Sequence, residues 1–275
     1  MRLLRFLIPA VALAGTLAAQ APNYEIYAIK YATLKQFPLS GLVEGESRNT
    51  RLDIGMYIFL IKGGGKNILF DCGFYRPQFL RQWKPADYEI PSAAVERMGL
   101  KAADISDVII SHIHWDHADG FDLFPNAKIW IQKEEVEYYA GEAFNGKKRS
   151  AADPDDIVGI VRMNTEGRVG LVPGDAQEFL PGITAYIGGK HTYQSQFITV
   201  KTAAGNVVLA SDNVYMYMNL EKHKPIAQSL DKESNLRAQD RMKDLAANPK
   251  LIVPGHDPAI MKNFPEVAPG VVKIP

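Results

Sequence analysis

A single cysteine, Cys72, stands in 275 residues. A lone thiol excludes an intramolecular disulfide, and its distance from the N-terminus leaves no lipid-attachment site there. An excess of either charge is also lacking, with 31 basic against 31 acidic residues. No basic tract interleaved with aromatics appears, which excludes nucleic acid as the expected partner, since phosphate contacts call for one. Long apolar runs are absent beyond the N-terminus, where Phe6 to Leu17 is too short to span a bilayer. Basic Met1-Arg2-Leu3-Leu4-Arg5 precedes that run and small residues, Ala18-Ala19-Gln20-Ala21, follow it, the layout of a bacterial secretory signal peptide over residues 1–21. Its removal takes two arginines and leaves residues 22–275 nearly neutral. The expectation is one exported domain, periplasmic or secreted, without membrane attachment after cleavage.

Past residue 21 the apolar segments are short, rich in β-branched and aromatic residues, and bounded by Gly, Asn or Asp. That texture predicts strands at 24–31, 55–62, 67–71, 107–111, 127–132, 183–187, 196–202, 206–211 and 251–253. Helical spacing is plainest at 92–98, 133–139 and 236–246. Strand pairs with helices between them predict an α/β fold. Two polar stretches, 33–52 and 141–169, interrupt the pattern, the second carrying Lys147-Lys148-Arg149 and Asp153-Pro154-Asp155-Asp156. They read either as substrate loops or as disorder. There is no internal repeat and no interdomain linker.

Three of the six histidines and two aspartates crowd into SHIHWDHADG, residues 111–120, directly after Val108-Ile109-Ile110. Turns favour Gly, Pro, Asn, Asp and Ser, and turn chemistry has no use for clustered imidazoles. A metal site does. His112 follows DVIIS, His191 follows ITAYIGGK, Asp212 follows NVVLAS and His256 follows LIVPG, so each stands where a predicted strand gives way to a loop. Loops at the carboxyl ends of strands are where side chains converge on a ligand. His223, in NLEKHK, has no such approach and reads as a surface histidine. On extended chain His112 and His114 point the same way, about 6.6 Å apart at the backbone, and can close on one ion. Asp116 and His117 are adjacent and can face a second ion if the chain turns. Mixed nitrogen and oxygen ligation suits zinc or iron better than magnesium or calcium.

With these residues assembled, the chain resembles the metallo-β-lactamase-fold hydrolases. Their H-x-H-x-D-H stands as His112-Ile113-His114-Trp115-Asp116-His117, and their apolar strand ending in D-T-G is matched by Ile68-Leu69-Phe70-Asp71-Cys72-Gly73. The match continues to Pro254-Gly255-His256-Asp257. The resemblance implies an αββα sandwich with metals at one edge between the sheets. It implies two divalent transition-metal ions, zinc first and iron or cobalt as alternatives: one on His112, His114 and His191, one on Asp116, His117 and His256, with Asp212 bridging. Asp71 would be the structural aspartate beneath the metal loop, and Cys72 a small buried residue.

Dedicated β-lactamases of that fold lack the bridging aspartate, so Asp212 points elsewhere in the family. Asp212-Asn213-Val214-Tyr215 reproduces the aspartate-to-tyrosine spacing of the N-acyl-homoserine lactonases, although Lys190-His191-Thr192-Tyr193-Gln194-Ser195 departs from their G-H-S/T-P-G-H. The resemblance therefore implies a hydrolase opening N-acyl-homoserine lactones, a quorum-quenching activity. Asp116 and Asp212 would move protons and Tyr215 would hold the carbonyl oxygen. A promiscuous β-lactamase or arylesterase is the alternative, and a core position is the other reading of Tyr215. Phe37, Phe79, Trp83, Met216 and Met218 are candidates for an apolar acyl-chain pocket, although taken singly each reads first as ordinary core packing. The partner is then a small molecule, with a homodimer as the candidate assembly. Exported protein should begin near Gln20 to Pro22; intact Met1 on it, found by mass spectrometry, would remove the signal-peptide reading.

Overall fold

A computed structural model describes residues 22–145 and 151–275; the proposed signal segment and Lys147-Lys148-Arg149 lie outside the described residues. In chain order the strands are β1 (Glu25–Pro38), β2 (Arg51–Gly63), β3 (Lys66–Phe70), β4 (Asp107–Ile109), β5 (Lys128–Gln132), β6 (Val169–Val172), β7 (Gln177–Leu180), β8 (Ile183–Ile187), β9 (Gln196–Thr202), β10 (Gly205–Ser211), β11 (Ile252–Pro254), β12 (Glu266–Ala268) and β13 (Val271–Ile274). The helices are α1 (Pro77–Trp83), α2 (Pro91–Ala94), α3 (Trp115–Ala118), α4 (Lys133–Ala140), α5 (Pro154–Thr165), α6 (Tyr217–Lys222), α7 (Lys232–Leu245) and α8 (Ile260–Asn263). One sheet runs β12-β13-β1-β2-β3-β4-β5-β6 and the other β11-β10-β9-β8-β7.

The period-two alternation of strands sorts the apolar residues into layers. On β2, eight consecutive residues from Ile54 to Ile61 are buried. Phe59 and Ile61 face the second sheet, where they meet Ile198, Val200 and Leu209. Ile58 and Leu60 face the other way, in the cluster that includes Ile157 and Ile160 of α5. Beyond the second sheet, Val208 and Ala210 pack against Ala238 and Met242 of α7. The order is helices, sheet, sheet, helix, the αββα sandwich that the resemblance implied. No helix among the described residues is long and apolar enough to cross a membrane.

Within the described residues, both polar stretches carry more regular structure than their composition suggests. β1 runs on to Pro38 and pairs with the start of β2 at Phe37↔Leu52 and Pro38↔Arg51, with register shifts at Lys30/Ala32 and Leu34/Phe37. Those shifts, with Lys35 and Gln36 exposed, break the alternation on which sequence recognition of a strand depends. In the second stretch α5 begins at Pro154 behind an Asp153 cap that accepts from Asp155 N. The short strands β6, β7, β12 and β13 left no periodic signal, being only three or four residues long.

Topology then brings the ligand-bearing loops to one edge. Parallel β3 and β4 end together at Phe70↔Ile109, and parallel β10 and β11 at Ser211↔Pro254. The chain turns abruptly at these ends: Asp71 (φ 61°), Lys190 (φ 56°) and Ser211 (φ 47°) occupy the left-handed region, which costs non-glycine residues energy and clusters at functional sites. After α3, Gly120 N donates to Gly73 O at 2.8 Å, and a Cβ on Gly120 would run into the Cys72 carbonyl. Since that obstacle is backbone, Gly120→Ala should cost about 1–3 kcal/mol, read as a fall in thermal midpoint; an unchanged midpoint would show that the loops yield.

Candidate metal centre

His112 and His114 lie on the extended loop after β4, and His114 caps α3, whose first turn carries Asp116 and His117. That change of direction lets adjacent residues serve different places. The imidazoles of His112, His114 and His191 stand 4.6 to 4.7 Å apart, centroid to centroid. His191 Nε2 is 3.3 Å and His112 Nε2 3.7 Å from Asp212 Oδ2. The other oxygen, Oδ1, faces His117 Nε2 at 3.2 Å and His256 Nε2 at 2.9 Å, and Asp116 Oδ2 lies 3.5 and 3.6 Å from the same two nitrogens. Two groups result, His112, His114, His191 and Asp212, then Asp116, His117, Asp212 and His256, each with ligand atoms within 4.8 Å of one another. They share Asp212.

The outer hydrogen bonds show what the inner atoms offer. His117 Nδ1 donates to Asp71 Oδ2 at 2.8 Å, His191 Nδ1 to Gln228 O at 2.8 Å and His256 Nδ1 to Gly55 O at 3.0 Å. Ser111 Oγ donates its one proton to Asp71 Oδ2 at 3.0 Å and so accepts from His112 Nδ1 at 2.8 Å. With the outer nitrogen holding the hydrogen, each neutral ring turns an Nε2 lone pair inward, the tautomer a metal ligand needs. His114 presents Nδ1, 2.9 Å from His191 Nε2. His112 Nε2, His117 Nε2 and Asp212 Oδ1 are buried without a hydrogen-bond partner, Oδ1 even with His256 Nε2 close by, because lone pairs face lone pairs. Buried acceptors aimed at one another are costly unless a cation stands among them. The residues fit two metal ions.

The electrostatics agree. Burial, with His117 and His191 nearby, holds His112 well below the usual imidazole range, and burial with His191 brings His114 down to about 3. Burial opposes charge on His117 as well, but Asp212, Asp116 and Asp71 outweigh it and drive its pKa well up. His256 moves up for the same reason, burial being outweighed by Asp212. Burial works to raise both carboxylates, yet His117 holds Asp116 low and His117 with His256 holds Asp212 well below its ordinary value. The centre demands positive charge.

Asp71 ties the two sheets beneath it. Its Oδ1 accepts from Ser111 N at 2.8 Å, and its Oδ2 accepts from Ser211 Oγ at 2.9 Å in addition to Ser111 Oγ and His117. Cys72 is buried and donates to the carbonyls of His117 and Ala118, at 3.1 and 3.3 Å, and belongs to neither ligand group. Asp119 turns away to Arg76 and to the amides of Tyr75 and Arg76. His223 is a surface residue paired with Asp240.

Above the ligands lies a cavity of about 90 Å³ that Asp116, Asp212, His114 and His256 share with Tyr215. Tyr215 is both buried core and cavity wall, its ring 5.5 Å from His191 and 5.8 Å from His256. Burial, then Asp212 and Asp116, raise its pKa well above the phenol range, so the hydroxyl stays a donor. Phe37 and Trp83 line the cavity as expected, together with Leu34, Leu42 and Ile54 of the β1–β2 hairpin. Three expected wall residues do not. Phe79 stacks behind Trp115 at 4.9 Å, and Met216 and Met218 line a separate cavity of about 1060 Å³ beside α6 and α8. Sequence gave no sign of Gln228 or Ala151, which reach the wall from distant segments.

Known proteins share these features. The family model described as the metallo-beta-lactamase superfamily matches residues 55–256. An N-acyl homoserine lactonase of Bacillus cereus is 30% identical over 191 residues, covering 69% of this chain and 70% of that protein. Among solved structures, an N-acyl homoserine lactone hydrolase with the product N-hexanoyl-L-homoserine bound at its catalytic metal centre superposes with a TM-score of 0.72 at 22% identity, over 88% of this chain and 97% of that one. A dizinc quorum-quenching lactonase superposes with a TM-score of 0.65 at 18% identity, over 93% and 95%. The shared sandwich, the paired His/Asp groups and the extent of the match make this chain a member of the metallo-β-lactamase superfamily and, within it, of the N-acyl homoserine lactonase family.

Proposed function

We propose that the chain is an exported dinuclear metallohydrolase that opens the ring of N-acyl homoserine lactones. His112, His114 and His191 would hold one ion and Asp116, His117 and His256 the other, with Asp212 shared by both groups and zinc as the metal. The observation that carries the reading is Tyr215, a protonated hydroxyl in the wall of the cavity into which Asp116, Asp212 and His256 also open. The kinship with lactonases supports it, as does a dizinc neighbour of the same fold.

Two divalent cations bound there supply water acidified to near neutral pH and positive charge to offset a developing oxyanion. The chain's residues do the rest. Tyr215 donates its hydroxyl hydrogen to the lactone carbonyl oxygen as negative charge gathers on it. Asp116, held as a carboxylate by His117, accepts a proton from the attacking water. As the ester C–O bond breaks, that proton passes to the leaving alkoxide and completes the ring-opened hydroxy acid. Leu34, Phe37 and Trp83 keep bulk water from the reacting carbonyl and receive the start of the acyl chain. The basic and apolar N-terminal pattern supports export to the periplasm or medium.

Metal analysis should approach two transition-metal ions per chain, and Asp212→Ala should disturb both, because each group uses one of its oxygens. A single full site untouched by that change would overturn the dinuclear assignment. Tyr215→Phe should lower turnover on a homoserine lactone about tenfold at unchanged metal content. That is less than the 10²–10³ of a lone oxyanion donor, since two cations share the charge. An unchanged rate would return Tyr215 to the core. A panel of γ-lactones, a β-lactam and an aryl ester should give the highest kcat/KM on a lactone; a faster β-lactam or ester would overturn the substrate.

A further inference from the structure

One buried carboxylate near the centre takes no part in the chemistry above. Glu135 lies in the first turn of α4 and is fully buried. Its Oε1 accepts from Ile113 N at 3.2 Å and its Oε2 from Gln194 N at 2.6 Å. Ile113 sits between His112 and His114; Gln194 closes the loop that begins at His191. No lysine or arginine among the described residues forms an ion pair with it; the two backbone amides, with the Thr192 side chain beside them, hold the carboxylate. A buried carboxylate is costly and persists where both oxygens are used.

Its position mirrors that of Asp71. Asp71 reaches His117, Ser111 and Ser211, and so fixes His117, the serine that orients His112 and the strand end before Asp212. Nothing in that network touches the His191 loop. The loop closes on itself through Gly188 N donating to Ser195 O at 2.7 Å, and is tied to the loop after β10 by Gly189 N donating to Asn213 Oδ1 at 2.9 Å. Glu135 is the side chain that grips this loop and the His112–His114 loop at once.

We propose that Glu135 is a positioning residue for the first metal group, setting the separation between the loop that presents His112 and His114 and the loop that presents His191. The inference rests on the dinuclear ligand assignment and is independent of the substrate. Outer partners that orient ligands are worth 10–100-fold in metal affinity.

Glu135→Gln keeps the size of the side chain but turns an amide donor toward one of the two N–H donors. Titration of metal-stripped protein with Co²⁺, followed by its ligand-field absorption, should show one of two binding steps weakened roughly 10–100-fold and the other unchanged. Two backgrounds assign the affected site. With His256→Ala, which spares the first group, Glu135→Gln should weaken the remaining ion by the same factor; with His191→Ala it should have no effect. Equal loss in both backgrounds, or none in either, would overturn the proposal. If metal-stripped Glu135→Gln does not fold by circular dichroism, Glu135→Asp, which keeps the charge and shortens the reach, carries the same cycle. Failure of both to fold would make Glu135 a residue of the fold and overturn the proposal equally. Since the readout is bound metal, loss of the lactonase reading would leave the result standing.

Discussion

Lone pairs facing lone pairs in a buried space set the terms for this structure. Five of the six histidines and two aspartates meet at the sandwich edge, almost entirely out of solvent. Nearly every outer imidazole nitrogen is committed to a carbonyl, a hydroxyl or Asp71, so the inner nitrogens bring no hydrogen to the carboxylates they face. With its rings neutral such a cluster is repulsive and desolvated unless cations complete it, and in the absence of metal the same demand falls on protons, Asp212 above all raising the pKa of His117 and His256. Metal binding and folding of this edge are in that sense coupled.

Holding such a cluster requires precise strand ends, and the sandwich supplies them. The parallel pairs β3–β4 and β10–β11 finish level with one another, and Asp71 and Ser211 take strained left-handed conformations just where the chain must change direction. Asp71 then links the ends through both serines that precede a ligand, Ser111 and Ser211. The strain is offset by hydrogen bonds that no relaxed backbone would bring together.

The apolar wall above the ligands comes from a different part of the fold. The β1–β2 hairpin extends past the sheet proper and lays Leu34, Phe37 and Ile54 over the ligands, while Trp83 of α1 stacks on Trp115, 5.3 Å between rings and 9° from parallel. Trp115 lies inside the metal motif itself, between His114 and Asp116. The apolar wall is thus anchored on the same short helix that presents two ligands.

Residue chemistry and spacing determined much of this in advance. Imidazoles and carboxylates at strand exits cannot be explained by turns or core, so a metal site at those exits and the layered α/β class were legible from the residues themselves, while the division of the ligands into two groups, the shared aspartate and the buried Cys72 came with the family resemblance. Tertiary structure decided what depends on distance across the fold. Glu135 reads in sequence as one more acid in KEEVEYY, and only the approach of residues 113 and 194 gives it a task. The polar stretch 33–52 became a hairpin because cross-strand pairing tolerates bulges that erase the period-two signal. Met216 and Met218, next to Tyr215 in sequence, lead into another cavity, since the turn into α6 carries them away from the ligands. Local pattern names the chemistry of a side chain; which neighbours it meets follows from closing loops as long as the one between Gly55 and His256.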